Sequence, residues 1–399
     1  MTGFFKERTP VNQARNIFLN AFNSIENTEQ VSIDECSGRI LSDSVTANRN
    51  VPHYRRAAMD GYAVRSSDTV GASPENPIML QIDDEEVVEG TCMRVHTGSS
   101  IPDGADAVVM VEDTIPAGNM VEVQTHVHPN KHVGTIGEDI EKNDTVFADG
   151  HMLRPCDLAV LSSLGINNVT VYKKPHVSVI PTGYELVPRT SSSQLQPGKV
   201  VETNGLMTAK YIEKWGGLPE YCEIVPDNPD LIKSTIQSQL ESDMIILCGG
   251  TSVGERDHVP DVVKSLGNVL VHGVSMSPGK PIALGVIDNV PVICLPGYPV
   301  AAFIGLLMFA RPALRKIGHI PDLPDATVKA ELSDKIPSKE GYMTFSRVVV
   351  DFGSSTAHPV MTSGAGVLSS VAKSNGLVIV PENTEGYEKG EEVDIVLIE

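Results

Sequence analysis

The spacing of apolar residues changes several times along the chain, and each change marks a part of it. In residues 11–22 the side chains of Val11, Ala14, Ile17, Phe18, Ala21 and Phe22 recur at helical spacing, which predicts an amphipathic helix. Residues 45–51 look extended. From 52 to 131 short apolar runs are punctuated by Gly, Pro and Asp, the pattern of a compact β-domain. Two places in it read as turn chemistry: Asp60-Gly61 ahead of a strand, and the polar cluster between the runs ending at Val95 and beginning at Ala107. Residues 154–165 read as a short helix, with Pro155 in the first turn and Gly165 as the stop. If this helix packs with the N-terminal one, residues 52–131 are an insertion into a helix-containing domain built from both flanks.

From His176 the pattern becomes that of an α/β domain. Strands are expected at 176–180, 244–248 and 291–295, and helices at 204–215, 227–240, 259–266 and 300–317. The helix at 227 has Pro229 just inside it and Asp227 or Asn228 as cap. Pro321 and Pro324 mark a linker, and the alternating segments 342–352 and 393–398 beyond it suggest a small β-domain. The expected fold class is multidomain α/β and β. It has a helix-containing N-terminal domain (1–51 plus 132–174), an inserted β-domain (52–131), a central three-layer α/β domain with a mostly parallel sheet (175–320) and a C-terminal β-domain (321–399).

Composition narrows the class of partner. With 51 acidic and 31 basic residues the formal charge is −20, which argues against nucleic acid or an anionic membrane as the main partner. Anionic small molecules stay open, provided that local donors such as helix N-termini and a few placed Lys or Arg offset the global charge. There is no run of about eighteen apolar residues and no basic-then-apolar opening, so the cytoplasm is the expected location. The six cysteines are far apart without a C-x-x-C pair, so they read as small buried hydrophobes rather than a zinc site or a disulfide framework.

Candidate chemistry collects at the ends of the α/β strands. The run Met244-Ile245-Ile246-Leu247-Cys248 leads into Gly249-Gly250-Thr251-Ser252-Val253-Gly254-Glu255-Arg256-Asp257. Glycines there let the backbone approach an anion, and Asp257 adds a carboxylate at the same mouth; a plain tight turn is the simpler alternative. Pro181 to Glu185 and Pro296-Gly297-Tyr298-Pro299 follow two other strands, and Ser277-Pro278-Gly279-Lys280-Pro281 holds a lysine between prolines. A parallel sheet gathers its strand C-termini on one side, so these turns form one pocket. Its parts would be Lys280 as a phosphate ligand and Glu185, Asp227 and Asp257 as carboxylates, with a hard cation such as Mg²⁺ to reconcile carboxylates with phosphate. A surface lysine and a helix cap are the simpler readings of Lys280 and Asp227.

The motifs Met59-Asp60-Gly61-Tyr62-Ala63, Thr97-Gly98 with Gly104-Ala105-Asp106-Ala107-Val108-Val109, Pro181-Thr182-Gly183, Gly249-Gly250-Thr251-Ser252-Val253-Gly254, Pro278-Gly279-Lys280-Pro281 and Leu295-Pro296-Gly297 occur in order over essentially the whole chain. Together they resemble the molybdopterin molybdenumtransferase family, MoeA, which includes the gephyrin E domain. The resemblance implies a four-domain homodimer that takes adenylylated molybdopterin and molybdate or tungstate, cleaves the phosphoanhydride with Mg²⁺, and releases AMP and molybdenum cofactor. It implies catalytic roles for Asp60, Thr97, Asp257 and Lys280. Gly249, Gly250, Ser252, Gly254, Arg256, Ser277, Pro296 and Gly297 would bind substrate, and Glu185, Asp227, Asp257 and Asp139 would bind the metal. Ser369 or Ser370 is a further candidate, and contact with the adenylyltransferase of the same pathway a further expectation.

The sequence departs from the family pattern in places. The family commonly has Asp at 184, Asn at 298, Ser at 301 and a second lysine at 277, where this chain has Tyr184, Tyr298, Ala301 and Ser277. The last change removes a positive charge from the presumed oxyanion site, and Arg256 is the candidate to compensate. Two other readings stay open: adenylylation of molybdopterin by ATP, because the α/β domain resembles that of the adenylyltransferase, and a non-catalytic pterin-binding scaffold.

Overall fold

The computed structural model describes residues 8–250, 258–361 and 366–398. Gln30–Ser37 and Leu41–Thr170 form one compact unit, and the remaining described residues form another. The chain is a multidomain α/β and β protein with an N-terminal region, a central α/β domain and a C-terminal β-domain. No helix among the described residues is long and apolar enough to cross a membrane.

The first unit is built on a six-stranded sheet in the order Ala107–Met110, Gly61–Val64, Thr91–Val95, Ile78–Ile82, Met120–Val123, Thr114–Ala117. Gly61–Val64 is buried along its whole length. Tyr62 and Val64 enter one apolar cluster and Ala63 another, as the two-residue side-chain period requires. The runs ending at Val95 and beginning at Ala107 do not make a hairpin with each other; they flank Gly61–Val64 on either side. A side chain at Gly61 would put its Cβ 1.9 Å from the Val109 carbonyl oxygen, so only glycine fits between them. The helix Pro155–Ser163 starts where expected, and Asp157 closes a capping box on the Arg154 N–H at 2.8 Å.

In the other unit a six-stranded sheet runs in the order Leu218–Tyr221, His176–Pro181, Met244–Cys248, Val290–Leu295, Ala283–Ile287, Asn268–His272. The first four neighbours are parallel and the last two are added antiparallel. Met244–Cys248 is wholly buried because apolar layers cover both faces. Met244, Ile246 and Cys248 enter one core with Ile293 and Leu295, while Ile245 and Leu247 enter the other with Ile232, Ile236 and Val259.

The N-terminal helix covers Val11–Leu19 and packs Val11, Ala14 and Phe18 into the first of these cores. This corrects the expectation that it packs with Pro155–Ser163, whose own neighbour is the turn Ile33–Glu35. Helical period identifies the buried face of a helix, not what covers it. Ile17, counted on the apolar face, is 38% exposed. The expected helix at 300–317 is continuous from Pro299 to Ile317 but includes a π-helical turn at Leu306–Ala310, which ends two residues before Pro312, whose ring cannot continue an ordinary α-helical ladder.

The C-terminal strands Met343–Asp351, Thr356–Met361, Thr327–Leu332, Glu392–Leu397 and Gly376–Val380 close on themselves, because the first and last also pair. The short strand Met276–Ser277 of the α/β region joins this sheet in parallel to Met343 and Thr344. A helix not expected from the sequence, Leu368–Lys373, packs against it.

Candidate functional site

The register of the parallel strands positions the first part of the site. Pro181 pairs with Cys248 and Cys248 with Leu295, so Thr182, Gly249 and Pro296 leave the sheet side by side. The Thr182 N–H donates to the Cys248 carbonyl at 3.0 Å and the Gly249 N–H to the Leu295 carbonyl at 3.0 Å, which holds the three turns together. Gly249 has φ +119°, and a Cβ there would lie 2.3 Å from the Thr182 carbonyl oxygen. Gly250 has φ +63°, with Val259 Cγ2 2.6 Å from its ideal Cβ. Both positions therefore require glycine.

These turns line a cavity of about 690 Å³ together with Glu185, Glu202, Asn204, Cys248 and Gly297. Two of its polar side chains are buried with an atom lacking a hydrogen-bond partner: Thr182 Oγ1 and Asn204 Oδ1. Asn204 is oriented by its amide nitrogen, which donates to the Gly297 carbonyl at 2.8 Å. A buried acceptor left unsatisfied costs about 1–3 kcal/mol, so these atoms favour a ligand that supplies hydrogen bonds. The Glu202 carboxylate is already committed: it accepts from the Gly205 N–H at 2.6 Å and the Tyr221 hydroxyl at 2.5 Å. Burial pushes the Cys248 thiol up to about 12, so it offers no thiolate nucleophile to the cavity.

Glu185 and Asp227 line an adjoining pocket with Tyr184 and Lys199, and this pocket shares Thr182, Glu185 and Gly250 with the larger cavity. Asn228, not Asp227, caps the following helix by accepting from Asp230 and Leu231 N–H groups at 2.9 and 3.1 Å. Asp227 instead accepts from the Tyr184 N–H at 3.1 Å. Paired carboxylates beside a ligand cavity fit a hard cation such as Mg²⁺, which takes one or two protein carboxylates and completes its shell from substrate oxygens and water. No cluster of three or more His, Cys, Asp or Glu side chains is formed among the described residues. Ser252, Gly254, Arg256 and Asp257 lie outside them.

A second cavity, of about 550 Å³, lies beside the first and shares Pro281, Pro296 and Tyr298 with it. Ser277 and Lys280 line it from the α/β side, and Lys339, Tyr342 and Arg347 from the C-terminal domain. Arg347 is 2% exposed: its Nε donates to Ser370 Oγ at 3.2 Å, its Nη1 to the Phe345 carbonyl at 3.4 Å, and its buried Nη2 has no partner. The Lys280 pKa is pulled down by burial first, then by the positive charges of Arg8 and Lys339. Buried donors with this much positive charge suit an anion. Of the two candidate serines, Ser370 touches Arg347 and is buried, while Ser369 is exposed. Arg347 escaped the sequence reading, although a lone arginine in the apolar run of Met343–Asp351 was its signal.

Three expected site residues belong to the unit of residues 30–170. Thr97 donates to Asp60 Oδ1 twice, from its N–H at 2.6 Å and its hydroxyl at 2.9 Å. These bonds, helped by His96 and Arg94, hold the exposed Asp60 carboxyl below its ordinary range. Asp139 is exposed, and its N–H donates to the Val51 carbonyl at 3.1 Å.

An α/β sheet with glycine turns, unsatisfied polar atoms and carboxylates at its strand ends, beside a cationic cavity, has the make-up of a ligand-binding domain. Residues 178–316 match the family model described as probable molybdopterin binding domain, between matches at residues 9–165 to the MoeA N-terminal region (domain I and II) and at 329–398 to the MoeA C-terminal region (domain IV). The chain belongs to the MoeA family. It is 37% identical over 378 residues to a Methanocaldococcus jannaschii protein provisionally named a molybdopterin biosynthesis protein, covering 93% of this chain and 92% of that one. It is 30% identical over 390 residues to the molybdopterin molybdenumtransferase of Bacillus subtilis, covering 93% and 90%. Among solved structures, the molybdopterin biosynthesis moeA protein from Pyrococcus horikoshii matches with a TM-score of 0.84 at 35% identity, over 98% of this chain and 100% of that one.

Proposed function

We propose that the chain inserts molybdate or tungstate into adenylylated molybdopterin, with Mg²⁺-dependent release of AMP, as a cytoplasmic homodimer. The observation that carries this reading is the adjacency of the two cavities, which share Pro281, Pro296 and Tyr298. A pterin dithiolene lying across the shared wall brings its sulfurs to an oxyanion held on the other side.

In this reading Thr182 and Asn204 bind the organic substrate through the acceptors now unsatisfied. Gly249, Gly250, Pro296 and Gly297 shape the turn that holds it. Glu185 and Asp227, with Asp257 as a further expected ligand, are the residues that would hold Mg²⁺, and its charge would neutralise the phosphoanhydride oxygens. Lys280 and Arg347 hold the oxyanion. Asp60, kept ionised by Thr97, serves the pocket of the partner copy. No side chain needs to form a covalent bond; the chain contributes mainly positioning and charge.

Purified protein incubated with adenylylated molybdopterin and Mg²⁺ should release AMP on addition of molybdate or tungstate. No AMP with either oxyanion would sink the reading. ATP-dependent adenylylation of molybdopterin would favour the adenylyltransferase alternative, and tight pterin binding without product the scaffold. Light scattering on an eluting peak tests the homodimer.

A further inference from the structure

The cationic cavity is more positive than Lys280 and Arg347 alone make it, and the extra charge comes from two residues far apart in sequence. Thr9 forms a parallel bridge to Val274: its N–H donates to the Gly273 carbonyl at 3.2 Å, and its carbonyl accepts the Ser275 N–H at 2.9 Å. On the other edge of the same segment, the Met343 N–H donates to the Ser275 carbonyl at 3.0 Å. The stretch leading to Lys280 is thus bonded to backbone of the N-terminal segment and of the C-terminal domain. Arg8 arrives on one flank and Tyr342 on the other. The Arg8 guanidinium carbon lies 5.1 Å from the Tyr342 ring centroid and the Lys339 ammonium 5.8 Å from it, so one aromatic ring seats two cations.

Arg8 and Lys339 join no salt bridge among the described residues. Glu382, a carboxylate that reaches the N-terminal segment, is engaged by the Val11 N–H at 3.2 Å. Arg8 Nε is buried without a hydrogen-bond partner. Arg8 and Lys339 lie close enough to Lys280 to lower its pKa by charge repulsion, and a bound anion relieves that repulsion.

We infer that Arg8 and Lys339, seated on Tyr342, are oxyanion-binding residues that supply the positive charge absent at Ser277. The ligand class is a tetrahedral dianion, molybdate or tungstate. The inference rests on the oxyanion reading of this cavity and goes beyond it by assigning affinity to residues outside the Ser277–Lys280 turn.

Equilibrium dialysis of the full chain against molybdate at low ionic strength tests it, with Arg8→Gln, Lys339→Gln, the double variant and Tyr342→Leu compared with Lys280→Ala. Each single charge removal should weaken binding roughly three- to tenfold, and the double by about the product, at the separations expected for cations around one anion. The slope of log affinity against log salt should become shallower in the charge variants, which a merely structural role would not produce. Lys339 is exposed, so Lys339→Glu provides a variant that folds and should weaken binding further than Lys339→Gln. A double variant that binds within about twofold of wild type, while Lys280→Ala binds weakly, overturns this inference and leaves the oxyanion reading standing. A wild type that binds neither molybdate nor tungstate overturns both.

Discussion

Arg347 donates from Nε to the hydroxyl of Ser370 across 3.2 Å, and that hydroxyl donates onward to the Val367 carbonyl at 2.6 Å. The helix Leu368–Lys373 thereby fixes a buried guanidinium at the wall of the cationic cavity. Arg347→Lys keeps the charge but loses the planar fork, so molybdate should bind about 10- to 100-fold more weakly. Ser370→Ala leaves the guanidinium charged but less well oriented and should cost about two- to fivefold. Equilibrium dialysis reads both. Unchanged affinity in Arg347→Lys would remove Arg347 from the oxyanion site.

Asn204 separates binding of the organic substrate from binding of the oxyanion. Its amide nitrogen is used on Gly297 and its Oδ1 is left for a ligand. Asn204→Leu removes that acceptor and should raise KM for adenylylated molybdopterin about tenfold, as loss of one buried hydrogen bond predicts, with molybdate affinity little changed. Equal losses for both ligands would mean that the substitution deforms the shared wall instead.

The central sheet was legible in the sequence for a physical reason. Strands such as Met244–Cys248 are covered on both faces, so they appear as unbroken apolar runs ended by Gly or Pro turns. The gathering of Thr182, Gly249 and Pro296 followed from parallel order alone. Other features were not legible because they depend on tertiary neighbours. Asp227 and Asn228 are both good caps, and only the chain path decided that Asn228 takes the role. The alternation at 342–352 indicated a β-strand but not its surroundings: Thr344, Ser346 and Arg347 of Met343–Asp351 are all buried, because that strand is covered on both sides. Arg8 precedes the first helix and carries no local signal; its place beside Tyr342 comes from the bridge of Thr9 to Val274.

Thr97 should set the acid limit of any step that uses the Asp60 carboxylate. Its N–H and hydroxyl lower the Asp60 pKa in that order of importance. Thr97→Val removes the hydroxyl bond but keeps the N–H, so the pKa moves up toward the ordinary carboxylate range. Asp60 is then protonated at a higher pH, and the acid limb of kcat/KM for AMP release moves up with it. Carboxyl-carbon NMR of Asp60 reads the same shift without turnover. An acid limb that stays in place while the NMR pKa rises would detach Asp60 from the rate.

Asp157 makes folding itself pH-dependent. This buried carboxylate accepts from the Arg154 side chain at 2.9 and 3.1 Å, from the Arg154 N–H at 2.8 Å, and pairs with His151 Nε2 at 2.8 Å. The Arg154 side chain is the main reason that its pKa falls far below the ordinary value, against the opposing effect of burial. A depressed folded-state pKa gives stability that is present above the unfolded pKa, about 4, and is lost as pH falls toward the folded value. Asp157→Asn loses the charge and weakens the cap, so it should cost about 2–3 kcal/mol at pH 7 in urea denaturation. Below about pH 4 the wild type loses the same contribution, so the two curves should converge. A gap that stays constant from pH 7 to pH 3 would mean that the side chain acts through packing rather than charge.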